Sequence, residues 1–284
     1  MRIILARKIG FCWGVKRAIE LARKLAKNSS KKIYTFGPLI HNQEVVKMLK
    51  EQGIVAYQPR ITPPAVIIIR AHGISPITQF RLEKRGFIIV DATCPNVKVS
   101  EKKVKHYASH GYQVIIVGDK KHAEVISLVG YAQAGNPKIM PLLVSSSKEV
   151  KGLELPANKP VAVIAQSTFQ QEEYHRIVKL LLKRLPDLIV LDTICRETIQ
   201  RHREVTEMSK KVDALIVVGS HHSANTSRLA ILARSLGMPT FHIAHQNDIN
   251  FNTLKKYKTI GITTGTSSPD WIAQAVIKAL QKYC

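Results

Sequence analysis

Short apolar runs rich in Val, Ile and Leu alternate with amphipathic, lysine-rich segments along the whole chain. Each apolar run has the length of a buried strand, and the segments between the runs repeat apolar residues at helical spacing. The candidate strands span residues 3–6, 32–36, 66–70, 87–91, 113–117, 161–165, 188–192, 214–218, 240–243 and 259–262. Apolar strands that alternate with helices are typical of parallel sheets covered on both faces, so the predicted fold class is α/β.

Two of the predicted helices can be delimited by the residues at their ends. One begins near Cys12, where an apolar stripe at helical spacing starts. The stripe consists of Val15, Ala18, Ile19, Ala22 and Leu25. The other spans residues 95–110, directly after Cys94, and ends at Gly111, which is suited to closing a helix.

Nearly every candidate strand is followed by a short loop of His, Ser, Thr, Asn or Cys. These loops span residues 36–42, 70–75, 91–96, 118–124, 165–169, 192–198, 219–227 and 263–268. In open α/β folds, ligands bind at the carboxyl ends of the strands, where the N-termini of the following helices also point. Eight loops that all carry ligand-capable groups predict one shared, highly polar pocket.

Composition limits the class of protein without fixing its function. The 284 residues are 45% hydrophobic and 22% charged, which is a globular balance that excludes extensive disorder. No apolar run approaches the ~18 residues of a membrane-spanning helix, and no secretory signal is recognisable, so we expect a soluble, cytoplasmic protein. The formal net charge of +23 attracts nucleic acid, acidic proteins and phosphorylated metabolites alike. The basic residues are scattered and form no basic arm, so charge alone does not decide among these partners.

Three of the four cysteines lie between a predicted strand and a predicted helix: Cys12, Cys94 and Cys195. Their spacing of roughly 80 to 100 residues predicts three similar lobes, with boundaries at 1–95, 96–194 and 195–284. Lobes packed around a pseudo-threefold axis would bring the three thiols together there. Cys284 lies outside this pattern and is interpreted as an incidental thiol.

Three converging thiols indicate a metal centre. A cysteine at a helix N-terminus is expected to have a lowered pKa and to bind metal as thiolate. Three sulfur ligands suit zinc or an iron–sulfur cluster, but structural zinc normally takes four ligands from closely spaced pairs. Distant single cysteines favour a [4Fe–4S] cluster between lobes, with one iron that lacks a protein ligand and is able to bind a substrate oxygen.

The sequence resembles the LytB family of 4-hydroxy-3-methylbut-2-enyl diphosphate reductases over essentially its whole length. The strings that carry the resemblance are GFCWGV (10–15), FGPLIHN (36–42), RAHG (70–73), DATCP (91–95), HAE (122–124) and GTSSPD (265–270). The resemblance implies an iron–sulfur oxidoreductase of isoprenoid biosynthesis. Such an enzyme reductively removes the hydroxyl group of an allylic diphosphate to give isopentenyl and dimethylallyl diphosphate.

The resemblance also implies a role for each matching residue. The cluster ligands would be Cys12, Cys94 and Cys195, and the substrate hydroxyl would bind the open iron. Glu124 would supply protons, together with the hydroxyl groups of Ser167 and Thr168. The diphosphate would be bound by His41, His72, His122, Ser167, Ser223, Asn225 and Ser267. The basic surface would serve an acidic electron donor, ferredoxin or flavodoxin.

Three positions depart from the family pattern: Ser167 replaces Thr, Ala224 replaces Ser, and Glu197 replaces Ala. We expect these changes to tune affinity or rate. Two other functions remain as alternatives. One is an iron–sulfur hydro-lyase that uses the open iron only as a Lewis acid, and the other is a basic nucleic-acid-binding protein, with steeply salt-dependent binding.

Overall fold

The computed structural model describes residues 1–156 and 158–283. The strands among them are β1 (Arg2–Leu5), β2 (Ile33–Thr35), β3 (Ile54–Ala56), β4 (Val66–Ile69), β5 (Ile88–Asp91), β6 (Gln113–Val117), β7 (Leu142–Val144), β8 (Val161–Ala165), β9 (Ile189–Leu191), β10 (Ala214–Val218), β11 (Thr240–Ile243) and β12 (Thr259–Thr264). All ten predicted strands are confirmed. The sequence did not predict β3 and β7, which have three residues each.

Helices connect the strands throughout the described chain. They are α1 (Trp13–Asn28), α2 (Gln43–Glu51), α3 (Pro76–Lys84), α4 (Pro95–Ser109), α5 (Ala123–Gly135), α6 (Gln171–Leu182), α7 (Arg196–Met208), α8 (Ala224–Ser235), α9 (Phe251–Leu254) and α10 (Asp270–Tyr283). Two short 3-10 helices span Ser147–Gly152 and Gln246–Asp248. Both delimited helices are confirmed, because α1 begins directly after Cys12 and α4 ends just before Gly111.

The strands form three parallel sheets of four strands each. Their strand orders are β1-β12-β10-β11, β3-β2-β4-β5 and β7-β6-β8-β9. All pairings within them are parallel, as the apolar strand sequences predicted. The two unpredicted strands both lie at a sheet edge, where a short strand needs only one partner.

The chain divides into two compact units. The first unit comprises Met1–Lys16, Ile40–Met48 and the chain from Arg196 onward, and it contains the sheet of β1, β12, β10 and β11. The second unit comprises Arg17–Leu39 and Leu49–Cys195, and it contains the other two sheets. The N-terminal strand therefore pairs with strands from the end of the chain. The lobe boundaries at 95 and 194, and the threefold arrangement of the lobes, stay predictions.

Each sheet is covered by its own apolar cluster. In the first unit, the inner residues of β10 pack against α7 and α8 on one face and against α10 on the other. In the second unit, β6 and β8 pack against α4 and α5, and β4 packs against α3. None of the helices in the described chain combines the length and the hydropathy that a bilayer crossing requires. Because the strands of each sheet run parallel, their carboxyl ends bring the predicted polar loops to one edge.

Candidate active site

Cys12, Cys94 and Cys195 occupy equivalent turns in the three sheets. Each follows an edge strand, which is β1, β5 or β9 respectively. Each cysteine also donates its amide N–H to a carbonyl oxygen in the loop after the neighbouring strand. The acceptors are, in the same order, Thr266 (3.0 Å), Ala71 (3.0 Å) and Ser167 (2.8 Å). The predicted equivalence of the three turns is therefore confirmed, while Cys284 lies outside the described residues.

The Cys12 turn, in the first unit, is held by a glycine and a buried arginine. Gly10 has φ +84°, and a Cβ placed there would lie 1.4 Å from a carboxylate oxygen of Asp270, so only glycine fits. Arg201 is 1% exposed and donates to the carbonyl oxygens of Gly10 (2.8 Å) and Thr264 (2.6 Å). These bonds fix the backbone immediately before the thiol.

Cys94 and Cys195, in the second unit, lie close enough to influence each other. Burial raises the pKa of the Cys94 thiol above its ordinary value, and the charges of Cys195 and Glu124 raise it further. The backbone N–H groups of Asn96 and Val97 donate to the Cys94 sulfur and act in the opposite direction. The expectation of a lowered pKa was wrong for Cys94, because the loss of solvation outweighs the helix N-terminus.

The Cys195 sulfur also accepts a hydrogen bond from protein. The side-chain amide nitrogen of Asn96 lies 3.3 Å from its Sγ. The sulfurs of Cys94 and Cys195 thus each accept at least one N–H hydrogen bond, which is typical of iron–sulfur thiolates. Sequence analysis did not identify Asn96 as a functional residue, although it directly follows the quoted DATCP string.

Glu124 and Ser167 form a tight hydrogen-bonded pair. Glu124 is buried at the start of α5, and its two carboxylate oxygens accept the N–H (2.6 Å) and the O–H (2.8 Å) of Ser167. The missing methyl group of Ser167 therefore leaves its hydroxyl bond to Glu124 intact. The Thr168 hydroxyl accepts from the side-chain amide of Gln166 at 2.9 Å.

Two of the predicted histidines lie together in the second unit. The rings of His72 and His122 meet edge to face, with 5.2 Å between their centroids. His122 caps α5 by accepting the backbone N–H of Glu124 at its Nδ1 (3.2 Å). Since Nδ1 accepts, the ring presents Nε2 as its donor. His122 thus caps the helix, and its Nδ1 is committed to the backbone N–H of Glu124.

The remaining predicted polar residues lie in the first unit, at the carboxyl ends of β10 and β12. Ser223 caps α8, and its hydroxyl accepts from that of Ser267 at 3.0 Å. Asn225 is 1% exposed, and neither its amide nitrogen nor its amide oxygen has a hydrogen-bond partner among the described residues. Buried amides are normally bonded, so Asn225 has the character of a ligand contact. The backbone carbonyl of Ser267 also accepts from Asn42 (3.0 Å), which follows the half-buried His41.

Glu197 and Ala224 are two of the positions that depart from the family pattern, and both lie in the first unit. The extra carboxylate of Glu197 pairs with Lys8 at 3.2 Å and lies 3.9 Å from Arg201, so its charge is compensated within the first unit. Ala224 occupies the first position of α8, directly after its cap Ser223, and the structure does not explain the missing hydroxyl. The support that Arg201 gives to the Cys12 turn was not revealed by the sequence, since a single arginine on a polar helix is usually solvated.

The family model described as LytB protein matches residues 3–281. This chain belongs to the LytB family. It is 37% identical to the 4-hydroxy-3-methylbut-2-enyl diphosphate reductase of Opitutus terrae over 294 residues, which cover 99% of both chains. It is 36% identical to the reductase of the same name from Clostridioides difficile over 283 residues, again with 99% of both chains covered.

A solved structure confirms the fold of the family. The E-1-hydroxy-2-methyl-but-2-enyl-4-diphosphate reductase of Plasmodium falciparum superposes with a TM-score of 0.93 at 28% identity. The match covers 99% of this chain and 88% of that one. The recognition of the LytB family from short strings is therefore confirmed over the full length. The α/β class with three similar sheets is confirmed as well.

Proposed function

We propose that this chain is an iron–sulfur oxidoreductase that converts 4-hydroxy-3-methylbut-2-enyl diphosphate to isopentenyl and dimethylallyl diphosphate. In this reaction the allylic C–O bond breaks, a C–H bond forms, and two electrons and two protons are consumed as water leaves. The relatives that match nearly end to end carry this activity in their names. The chain then acts in isoprenoid biosynthesis.

The proposed cofactor is a [4Fe–4S] cluster on Cys12, Cys94 and Cys195. The donor set supports this assignment, because three half-buried thiols occupy equivalent turns and two of them accept N–H hydrogen bonds at sulfur. When bound, such a cluster supplies electrons and a Lewis-acidic iron for the substrate hydroxyl. The raised pKa of Cys94 means that metal has to displace a proton there, so cluster loading is expected to weaken in acid.

The observation that carries the proposal is the placement of Glu124. Its carboxylate is buried, is held by two donors of Ser167, and interacts with the charge of Cys94 in the same unit. Loss of hydroxide requires a proton on the leaving oxygen. In the observed bonds Glu124 only accepts, so it has to take up a proton before it passes one on through the Ser167 hydroxyl. We assign Glu124 as the proton source, Ser167 as its relay, and Thr168 as a further hydroxyl of the pocket.

The diphosphate is assigned to the remaining polar residues. These are His41, His72, His122, Ser223, Asn225 and Ser267, with the Ser167 hydroxyl contributing as well. A buried diphosphate needs several donors, and the unbonded amide of Asn225 supplies one of them. Helix N-termini at Ser223 and His122 add the favourable dipole of an anion site.

Anaerobic purification followed by iron and acid-labile sulfide analysis tests the proposal directly. We expect a cluster in the native protein, its loss together with activity in Cys12→Ser, Cys94→Ser and Cys195→Ser, and little change in the control Cys284→Ser. Turnover must require a strong reductant, because a hydro-lyase works without added electrons. A fully active protein without iron contradicts the proposal.

We further infer that the electron donor is an acidic protein of the ferredoxin or flavodoxin class and that it docks beside the Cys12 turn. Trp13, directly after Cys12, is 63% exposed, and Trp271 is 49% exposed while its ring meets Phe11 edge to face at 5.8 Å. Exposed tryptophans are typical of an interface. A cleft that includes Trp271 is lined by Gln246, Trp271, Gln274, Ala275, Lys278, Ala279 and Lys282.

Charge reversal in this cleft tests the docking site. The double variant Lys278→Glu/Lys282→Glu is expected to slow reduction by an acidic donor about tenfold and to abolish most of its salt dependence. Reduction by dithionite, a small molecule, should not change. The matched control is Lys210→Glu/Lys211→Glu, which alters two exposed lysines of the same unit. Equal slowing in both double variants would remove the site from consideration.

A further inference from the structure

A second buried carboxyl, Glu101, lies near the candidate site without any role assigned to it. It is 3% exposed, on α4, seven residues after Cys94. None of the ion pairs among the described residues involves it. A buried carboxylate without a cationic partner is strongly disfavoured, so Glu101 needs either a proton or an exceptional set of donors.

The hydrogen bonds around Glu101 decide between these two states. The hydroxyl oxygen of Ser127 lies 2.7 Å from a carboxyl oxygen of Glu101 and 3.0 Å from the carbonyl oxygen of Ile74. A serine hydroxyl has one proton, so it donates to only one of these two acceptors. Both bonds form together only when Glu101 is protonated. The carboxyl O–H then donates to Ser127, and Ser127 donates to Ile74.

The electrostatic surroundings keep Glu101 about half protonated near pH 7 and mostly protonated below it. Burial raises the pKa of Glu101 to about 7, against the opposing hydrogen bond of Ser127. The charges of Asp91 on β5 and Glu124 on α5 raise this pKa further, and Lys98 on α4 lowers it. Tyr131 on α5 also bonds to Glu101, and burial raises its own pKa to about 12, so its phenol remains a donor.

The hydrogen bonds from Glu101 through Ser127 to Ile74 connect the three segments that carry or follow His72, Glu124 and Cys94. Ile74 lies two residues after His72, Ser127 lies three residues after Glu124, and Glu101 belongs to the helix that begins at Cys94. Gly73 packs directly against the side chains of Glu101 and Ser127. A Cβ at Gly73 would lie 2.2 Å from the Glu101 carboxyl oxygen and 2.9 Å from the Ser127 hydroxyl.

We propose that Glu101 is a positioning residue, which in its protonated form ties the His72 loop through Ser127 to the helices that follow Cys94 and His122. Ionisation of Glu101 draws the Ser127 proton away from Ile74 and releases the loop. The proposal rests on the proposed function in one respect, since His72 is taken to bind the diphosphate. Its expected signature is weaker substrate binding as the pH rises through neutrality.

Glu101→Gln is the decisive variant, because an amide donates to Ser127 at every pH. In the cluster-loaded enzyme, KM for the diphosphate should rise about tenfold for the native protein between about pH 6 and pH 8.5, with kcat changed less than about threefold. In Glu101→Gln, KM should remain low across this range. The matched control Glu83→Gln removes an exposed carboxylate of α3 and should follow the native profile.

Two further measurements keep the proposal testable if Glu101→Gln does not fold. Ser127→Ala removes the hydroxyl that links Glu101 to Ile74, so these hydrogen bonds are absent at every pH. The KM of this variant should therefore be high and nearly independent of pH. A pH-difference infrared spectrum of the native protein should show a buried carboxyl group losing its proton near neutrality. A native KM that does not vary with pH, or a Glu101 signal that titrates only in acid, would overturn the proposal. The infrared result does not depend on reductase activity, so it separates this inference from the proposed function.

Discussion

Glu101 and Glu124 are both buried carboxyl groups of the second unit, yet their surroundings prepare them for opposite tasks. Glu124 accepts both donors of Ser167, so its two oxygens are occupied and its position is fixed. Glu101 is bonded to the hydroxyl of Ser127, which also donates to the backbone carbonyl of Ile74. Both hydrogen bonds form together only when the Glu101 carboxyl carries a proton. Burial alone therefore does not define the role of a carboxyl group. Its role also depends on how many N–H and O–H groups around it are able to donate hydrogen bonds to it.

The largest effect is expected from replacing the first of these two acids. Glu124→Gln should lower the reductase rate by about 10²–10⁴-fold, because the proposed proton source is lost. Iron and sulfide content should stay native, which excludes collapse of the site. Glu101→Gln, measured near pH 6, is the comparison variant and should remain within about threefold of the native rate. Equal losses in the two variants would mean that the carboxyls do not differ in role.

The hydroxyl of Ser167 offers the next test. Ser167→Ala keeps the N–H donor to Glu124 but removes the O–H donor, so about a tenfold to hundredfold loss of kcat is expected from one lost charged hydrogen bond. Ser167→Thr keeps the hydroxyl and should restore the rate. If Ser167→Ala retains the full rate, the relay assignment is wrong.

The free energy of unfolding should depend on whether Glu101 is protonated. Between the unfolded pKa of 4.5 and the folded pKa of about 7, the native state keeps a proton that the unfolded chain has released. The free energy of unfolding therefore decreases as the pH rises through this window, by about 3 kcal/mol in total. Denaturant unfolding of native protein and Glu101→Gln across the window measures the difference. The slope of the native protein should exceed that of the variant.

Lys98 should have the smallest effect. Burial alone would raise the pKa of Asp91, but the hydrogen bonds from Lys98 (2.6 Å) and Thr93 outweigh it and lower this pKa. Lys98 also lowers the pKa of Glu101. Lys98→Met should therefore move the infrared titration of Glu101 to higher pH by a fraction of a unit. A shift to lower pH would contradict the charge assignment around Glu101.

The sequence predicted the sheets and the cysteine turns well, because both depend on local pattern. Buried strands such as β6, β8 and β10 are continuous apolar runs, and their predicted bounds are the observed ones. The strands β3 and β7 were missed because three residues are too few to show a period. The turns at Cys94 and Cys195 were predictable because each cysteine lies between a predicted strand and a predicted helix.

The residues that the sequence did not reveal depend on tertiary packing. Glu101 precedes Lys102 and Lys103, which is the pattern of a solvated helix face. Its burial comes from the contact of α4 with α5 and from the absence of a side chain at Gly73. Arg201 is similar, since its acceptors lie in segments nearly 200 and about 60 residues away.

The edge position of β1, β5 and β9 has a consequence for how the protein is matured. An edge strand opens locally at a lower free-energy cost than the inner strands of the same sheet. The thiols that are proposed to hold the cluster follow these strands, so they are able to adjust to incoming metal while the buried strands keep the fold intact. If the proposed cluster is correct, purified apoprotein gains colour and iron when ferrous and ferric salts and sulfide are added anaerobically without denaturant, so that assembly of the inorganic centre follows folding of the polypeptide.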